Sequence, residues 1–315
     1  MIIPVKNGGE CFKAVLESTM AQQAPWPFEV LVIDSGSSDG SVAFARSIGC
    51  RVEEISSSSF GHGRTRNLGA QLTSGEFIVF ITHDACPVGT KWLLNLVDAA
   101  DMAPDVAGAF GRHLAYGSAS IVTTRELEVH FAGFGVTAGM VRNDDPARYA
   151  HDVGYRQFLH FFSNNNSCLR RSVWEQIPFP DVDFAEDQIW AKTVIEAGYA
   201  KAYSPDACVF HSHDFGVLET AQRGFDESRA LARLFGYILL PSIPRLLRDW
   251  VYLTGRDWGW VVCSSRPRFE RLKAFAGVPF LCAAKLVGRY LGARESSLPA
   301  WLARAFSRDK AMQRA

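Results

Sequence analysis

Five places in this chain combine polar or charged residue types with a spacing that aims them at chemistry. Asp34 follows the apolar run EVLVI at 29–33 and opens the turn-rich string DSGSSDGS. A carboxylate there can accept the N3 proton of a uracil or thymine ring, or it can cap the helix that follows. Residues 60–67, FGHGRTRN, place His62, Arg64 and Arg66 at the start of a helical stretch. Cationic groups and the helix dipole suit a diphosphate at that point, while Gly61 and Gly63 allow close backbone approach; a solvated helix end is equally consistent. In FIVFITHDACP, residues 77–87, an apolar run ends on Thr82, His83 and Asp84. Hard divalent cations bind through one or two carboxylates and phosphate oxygens, so Asp84 is a candidate ligand as well as a turn former. The string FAEDQIWA brings Glu186 and Asp187 to a helix start. There they are either ordinary dipole partners or a general base facing a cleft. Finally, His211 and His213 follow a strand-like run, and alternate residues point opposite ways, so one of them at most joins a given metal site.

Alternating elements must position these groups. Short apolar runs at Ile2–Val5, Glu29–Ile33, Arg51–Ile55 and Phe77–Ile81 read as strands. Between them Glu10–Gln22, Ser41–Ile48 and Gly63–Leu72 carry helical spacing. Near-continuous apolar strands joined by helices predict a mostly parallel sheet covered on both faces. In such sheets ligands sit beyond the carboxyl ends of the strands, which is where Asp34–Ser41 and Thr82–Asp84 fall. Further along, Val106–Arg112 and Ala207–Phe210 read as strands, Ile121–Phe131 and Glu186–Ala197 as helices, and the glycine-rich stretch through Asn143–Pro146 as a mobile loop. Beyond about residue 217 the pattern is helical, basic and tryptophan-rich.

With 315 residues and a mean hydropathy of -0.01, the composition is that of an ordinary globular protein. Net charge is zero, but fourteen Lys/Arg against five Asp/Glu lie from Arg245 onward, leaving an acidic body and a basic tail. Seven scattered cysteines without a CxxC pair argue against a disulfide framework or a zinc site and fit a reducing cytoplasm. Met1 leads straight into a strand-like run rather than a signal peptide, and the charge-free stretch Ala274–Ala284 is too short to span a bilayer.

Taken together, IIPVKNGG, VLVIDSGSSDGS, FGHGRTRNLGA with SGEFIVFITHDACP, FAEDQIWA and VFHSH resemble the family 2 glycosyltransferases of GT-A fold, in their rhamnosyltransferase-like branch. The order and spacing of these pieces over roughly residues 1–215 are more specific than any one of them. The resemblance implies an α/β fold, Rossmann-like, with a mostly parallel central sheet and a C-terminal helical extension. It implies a GT-A domain over 1–216 and a separate basic region over 217–315. Pro4 and Val5 would line the nucleotide pocket, Asp34 would bind the base, and His62, Arg64 and Asn67 would hold the nucleotide or diphosphate side. Asp84 takes the place of the last carboxylate of the family's DxD motif, with Mg²⁺ or Mn²⁺ as the implied ion and His213, or failing it His211, as a further ligand. Asp187 would be the catalytic base. Asn165, Asn166 and Glu186 are assigned to the acceptor or donor-sugar face.

The implied reaction is an inverting, metal-dependent transfer of a sugar to a glycan hydroxyl in bacterial surface polysaccharide synthesis, with dTDP-L-rhamnose as the donor. A UDP-hexose donor, or a catalytically silent module that binds glycan or a partner protein, are the competing readings. The sequence departs from the family pattern at Thr82, where the first DxD carboxylate is missing, and at Ser35, where a second aspartate is common. The implied partners are the nucleotide-sugar donor and a glycan acceptor, lipid-linked or free, with no nucleic acid. The basic tail, with Trp250, Trp258 and Trp260, reads as a membrane-surface element on the inner face of the cytoplasmic membrane or as an oligomerisation element.

Overall fold

A computed structural model of the chain describes residues 1–182 and 184–307. They form two compact units, the first from 1–116 and 127–211, the second from 117–126 and the residues from Ser212 onward. The division along the chain thus falls after His211, where the sequence suggested residue 216, and the 117–126 segment joins the second unit. Residues 308–315 of the expected C-terminal region lie outside the described residues.

In the first unit β1 (Ile2–Val5), α1 (Gly9–Met20), β2 (Leu31–Asp34), α2 (Ser41–Ser47), β3 (Arg51–Glu54), α3 (His62–Gln71) and β4 (Phe77–Ile81) alternate as the apolar periodicity predicts. There follow β5 (Cys86–Pro87), α4 (Trp92–Ala100), β6 (Val106–Leu114), α5 (Ile121–Ala132, whose first residues fall in the second unit), β7 (Gly139–Val141), α6 (Pro146–His151) and α7 (Val153–His160). β8 (Asn166–Arg170), α8 (Arg171–Trp174), α9 (Glu186–Glu196) and β9 (Ala200–Phe210) complete the unit. The stretch read as a loop before Pro146 contains β7, which pairs with β9, and it ends in a capped helix, the Asp145 carboxylate accepting the Arg148 N–H. β9 begins seven residues before the predicted strand because its first half is polar in sequence. Lys201 in that half is fully buried, its ammonium donating to the carbonyls of Phe158 and Phe161 beside the Phe110 ring.

The nine strands form one sheet in the order β3-β2-β1-β4-β8-β6-β9-β5, with β7 added on β9. β1 to β4 are parallel where they pair, as are β6 and β9. Between these blocks β8 runs antiparallel to both β4 and β6, so the sheet is mixed beyond β4. Alternating side chains fill the two faces. Ile3, Val5, Val32, Val79 and Ile81 join α1 and α4 through Phe12, Leu16, Trp92 and Leu96. Ile2, Leu31, Ile33, Ile78 and Phe80 join Ala70, Trp174 and Trp190 on the other face.

The direction of β8 has a consequence for every polar group on this sheet. Ile81 pairs with Asn166, so the start of β8 lies at the carboxyl end of β4. Parallel pairing brings the carboxyl ends of β1 and β2 to the same edge, and β5–β9 pairing sets Cys86 opposite Phe210 there.

The second unit contains α10 (Val217–Phe235), α11 (Ile243–Cys263), α12 (Arg268–Gly292) and α13 (Ala300–Phe306). α10 and α12 meet backbone to backbone through glycines. A Cβ on Gly288 would stand 2.0 Å from the Ala221 carbonyl oxygen, and one on Gly292 would stand 2.1 Å from that of Phe225. α12, 25 residues long, is long and apolar enough to cross a membrane by length and composition. Counting only charge-free residues hides this, because the run continues past Lys285 and Arg289, which pair with Glu126 and Glu227. Gly288→Ala should destabilise the protein by about 1–3 kcal/mol through overpacking, read as a lowered denaturant midpoint; an unchanged midpoint would show that the helices separate at no cost.

Candidate active site

At the carboxyl edge of the sheet two loops lock together. The Asn7 N–H donates to Ser37 Oγ at 2.8 Å, the Ser38 N–H to Asn7 Oδ1 at 2.8 Å, and the Gly9 N–H to Asp39 Oδ2 at 2.8 Å. Asn7 adopts φ +50°, a left-handed conformation that Asn tolerates better than most side chains. The Val5 carbonyl accepts the Ser35 N–H at 3.0 Å, and Pro4 lies half-buried beside it on β1. Asp34 is buried, and its Oδ2 accepts the N–H groups of Gly36 and Ser37 at 2.9 Å each. Its Oδ1 is buried without a hydrogen-bond partner, a costly state that a ligand N–H would relieve.

Asp84 follows β4, and its backbone carbonyl accepts the Tyr116 hydroxyl at 3.3 Å. Its Oδ1 lies 3.6 Å from His211 Nε2, both side chains being largely buried. A carboxylate and an imidazole so placed are a donor pair that Mn²⁺ or Mg²⁺ can use, the imidazole favouring the softer ion. Against His211, 5.1 Å between ring centroids, packs the buried His113, held neutral by burial first and then by the neighbouring His211 and His130. His213, the preferred ligand in the sequence reading, is exposed in the second unit, where it stacks on Phe215. Within the first unit His211 meets Asp84, the β5–β9 pairing carrying the chain directly from Phe210 to the Asp84 loop.

The third group lies at the start of α9. Ala185 precedes it at φ +60°, an uncommon conformation for a residue with a Cβ. Glu186 turns inward and receives Arg66 at 2.9 Å, both side chains more than nine-tenths buried, and the Asn164 amide at 3.2 Å. Asp187 turns to the half-buried edge, where the Asn164 N–H donates to its Oδ2 at 3.2 Å and the Gln188 N–H to its Oδ1 at 2.8 Å. Burial, and then the charge of Glu186, raise the Asp187 carboxyl to about 7, while the Asn164 N–H and Arg66 pull the other way. A carboxyl poised there can take and release a proton near neutrality.

Several assignments change with the tertiary structure. Asn166 is fully buried: its Oδ1 accepts the Trp92 indole N–H at 2.9 Å and its amide donates to the Ala207 carbonyl at 2.8 Å. It braces the sheet, and Glu186, likewise buried, is engaged by Arg66 and Asn164. Asn165 stays half-buried in the turn before β8. Asn67 is engaged within the fold, accepting from Trp174 Nε1 at 2.9 Å and from the Phe179 N–H at 3.1 Å while donating to the Phe179 carbonyl at 2.8 Å. Gly63 serves the same contact, since a Cβ there would lie 2.2 Å from the Pro180 carbonyl oxygen; the close approach is to the chain itself. His62 and Arg64 remain exposed, with Arg64 3.4 Å from Asp181 at the mouth of a groove of about 340 Å³ that Ile55, Ser59, Thr65 and Gln71 help to line. Sequence reasoning missed Asn164 and the structural partner of Arg66. The signal for the first was the run SNNNS, in which only strand register tells which asparagine turns toward the base.

The mixed sheet, the loop clasp on Asp34 and the carboxyl-edge acids together define a glycosyltransferase architecture of GT-A fold. The sequence profile of glycosyl transferase family 2 matches residues 1–177, and the chain belongs to that family. It is an enzyme of the glycosyltransferase class. Over 98% of its length it is 31% identical to the O-antigen chain rhamnosyltransferase RfbN of Salmonella typhimurium, covering 94% of that protein. It is 28% identical, over the same shares, to the O-antigen chain rhamnosyltransferase WbaN of Salmonella anatum. The fold matches that of the mannosyltransferase PcManGT from Pyrobaculum calidifontis, a GT-A enzyme solved in complex with GDP-Man and Mn²⁺, with a TM-score of 0.58 at 17% identity, covering 94% of this chain and 85% of that one.

Removing one partner of the buried Arg66–Glu186 pair should cost about 3–5 kcal/mol, whereas the double replacement Arg66→Met with Glu186→Leu should recover most of it. Chemical denaturation of the three variants checks this; equal losses in single and double variants would contradict the pairing.

Proposed function

We propose that the chain transfers L-rhamnose from dTDP-L-rhamnose to a hydroxyl of a surface-polysaccharide precursor, with inversion at the anomeric carbon. The observation that carries the chemistry is Asp187, raised to about 7 and held at the sheet edge by the Asn164 N–H. Its ionised carboxylate takes the proton of the acceptor hydroxyl as that oxygen bonds to the anomeric carbon. The bond from that carbon to the diphosphate breaks, and the electron pair leaves with the nucleoside diphosphate. One displacement accounts for the whole reaction, so no covalent nucleophile is needed.

Asp34 Oδ1, buried and unpartnered, supports recognition of a thymine or uracil N3–H, with Pro4 and Val5 forming the adjoining wall. His62 and Arg64 serve the diphosphate side, and Asn165 the sugar face beside Asp187. Asp84 and His211 would hold the divalent cation, with His213 two positions along the chain as a further donor. When bound, such an ion supplies positive charge that stabilises the departing diphosphate. The donor assignment is supported by the rhamnosyltransferase relatives rather than by a feature of the sugar site, and a UDP-hexose is the competing donor. Nucleotide sugars are made in the cytoplasm, and seven cysteines without a disulfide fit that compartment.

Activity should rise with pH through about 7 and level off above it, because the base must be ionised. Asp187→Asn should lower turnover by about 10²–10⁴-fold and remove that rise. The same substitution should not lower the melting temperature at pH 8. With an ordinary value of 3.8 unfolded and about 7 folded, the native state loses stability as pH rises between them, and the neutral amide escapes that penalty. Near-full transfer by folded Asp187→Asn would overturn the assignment of the base.

The donor is tested by thermal stabilisation with dTDP-L-rhamnose, UDP-glucose and GDP-mannose, each with and without Mn²⁺. The expected result is the largest shift for the thymidine donor, enhanced by Mn²⁺ in the parent but not in Asp84→Ala. A shift equal for all three donors, or one indifferent to Mn²⁺, would contradict the donor or the cation assignment respectively.

A further inference from the structure

We propose that the second unit docks on an anionic phospholipid surface through the outward faces of α11 and α12. The inner faces of these helices are already filled: Val261, Val278 and Cys282 form a buried cluster, and Trp258 stacks on Phe275 with ring centroids 4.7 Å apart. Even so, a second apolar stripe runs along the outside of each helix. On α11 Leu247 and Val251, one turn apart, are 56% and 65% exposed, with Ile243 and Val262 continuing the face. On α12 Phe269, Leu272 and Phe280 are 76%, 71% and 65% exposed, and the three- and four-residue spacings through Ala276 keep them on one side. A helix apolar on both faces leaves one of them to a partner.

Charge identifies the partner. Between residues 243 and 292 nine Lys/Arg stand against three Asp/Glu, and each acid is already matched. Asp249 pairs with Arg245 and Arg248, Asp257 with Arg256, and Glu270 faces Arg266. Lys285 and Arg289 are matched by Glu126 and Glu227. At the start of α12 three cations have no carboxylate among the described residues: Arg268, Arg271, which donates to the Val261 and Val262 carbonyls, and Lys273. They interleave with Phe269 and Leu272, the most exposed apolar side chains on the helix. Apolar groups to enter the acyl boundary, set among cations for the headgroups, are the requirements of a surface-lying helix. A second copy of the same face would bring these cations toward like charge, which disfavours self-association. The glycine contacts holding α12 to α10 favour lying on the bilayer over crossing it.

Flotation of the full chain with vesicles tests the proposal. The expected result is binding to phosphatidylglycerol–phosphatidylcholine vesicles, weakened by added salt and about tenfold weaker on phosphatidylcholine alone. Phe269→Glu with Leu272→Glu should reduce binding by at least about tenfold at an unchanged melting temperature, since both sites are exposed. Arg268→Gln with Lys273→Gln provides a second variant that leaves the apolar stripe intact, and it should lose the preference for the anionic lipid. No vesicle binding, equal binding to both vesicle types, or a dimer by light scattering that the glutamate variant dissociates in the absence of vesicle binding would each overturn it.

Discussion

The first unit depends on β8, an antiparallel strand inserted between the parallel block β1–β4 and the parallel pair β6 and β9. β8 pairs with β4 on one edge and β6 on the other, and running against both reverses which of its ends meets the ligand edge. Its first residue, Asn166, with the turn residues Asn164 and Asn165 before it, therefore comes to the carboxyl ends of β1, β2 and β4, where Val5, Asp34 and Asp84 already lie. A parallel β8 would carry the same residues to the opposite edge. Asn166 secures the arrangement from inside, bonded to Trp92 on α4 and to Ala207 on β9. A fully buried amide so engaged penalises a slip in register, because every lost partner leaves a buried polar group unsatisfied.

The same insertion accounts for the electrostatics at Asp187. Two adjacent acids at a helix start would ordinarily be solvated dipole partners. Here one is drawn inward and neutralised by Arg66, while the other is left at the edge, desolvated and next to that charge. The pair divides into a structural carboxylate and a reactive one, separated by a single position in the chain. Asn164 touches both, donating its side-chain amide to Glu186 and its backbone N–H to Asp187, and so links the register of β8 to the state of the base.

Where α10 meets α12 in the second unit, packing rests on absence of side chain rather than on apolar volume. Gly288 and Gly292 allow the α10 backbone to approach to contact distance, which leaves the bulky residues of α12 free to face elsewhere. Phe269, Leu272 and Phe280 on its outer side are the counterpart of that economy on the inner side.

The sequence by itself determined the alternation from β1 to β4 and the polar loops at their carboxyl ends, since apolar periodicity and turn residues are local signals. It also singled out Asp34, Asp84 and Asp187 as the acids to watch. What it could not show was direction and register in the second half of the sheet, where Lys201 and the SNNNS run break the apolar pattern and only long-range pairing decides the strand. Those pairings set His211 beside Asp84, turned Asn166 and Glu186 into the interior, and engaged Asn67 with the Phe179 segment. Residue type names which side chains can do chemistry. Which of them face one another is set by contacts more than a hundred residues apart, such as Arg66 with Glu186, and those exist only once the chain has folded.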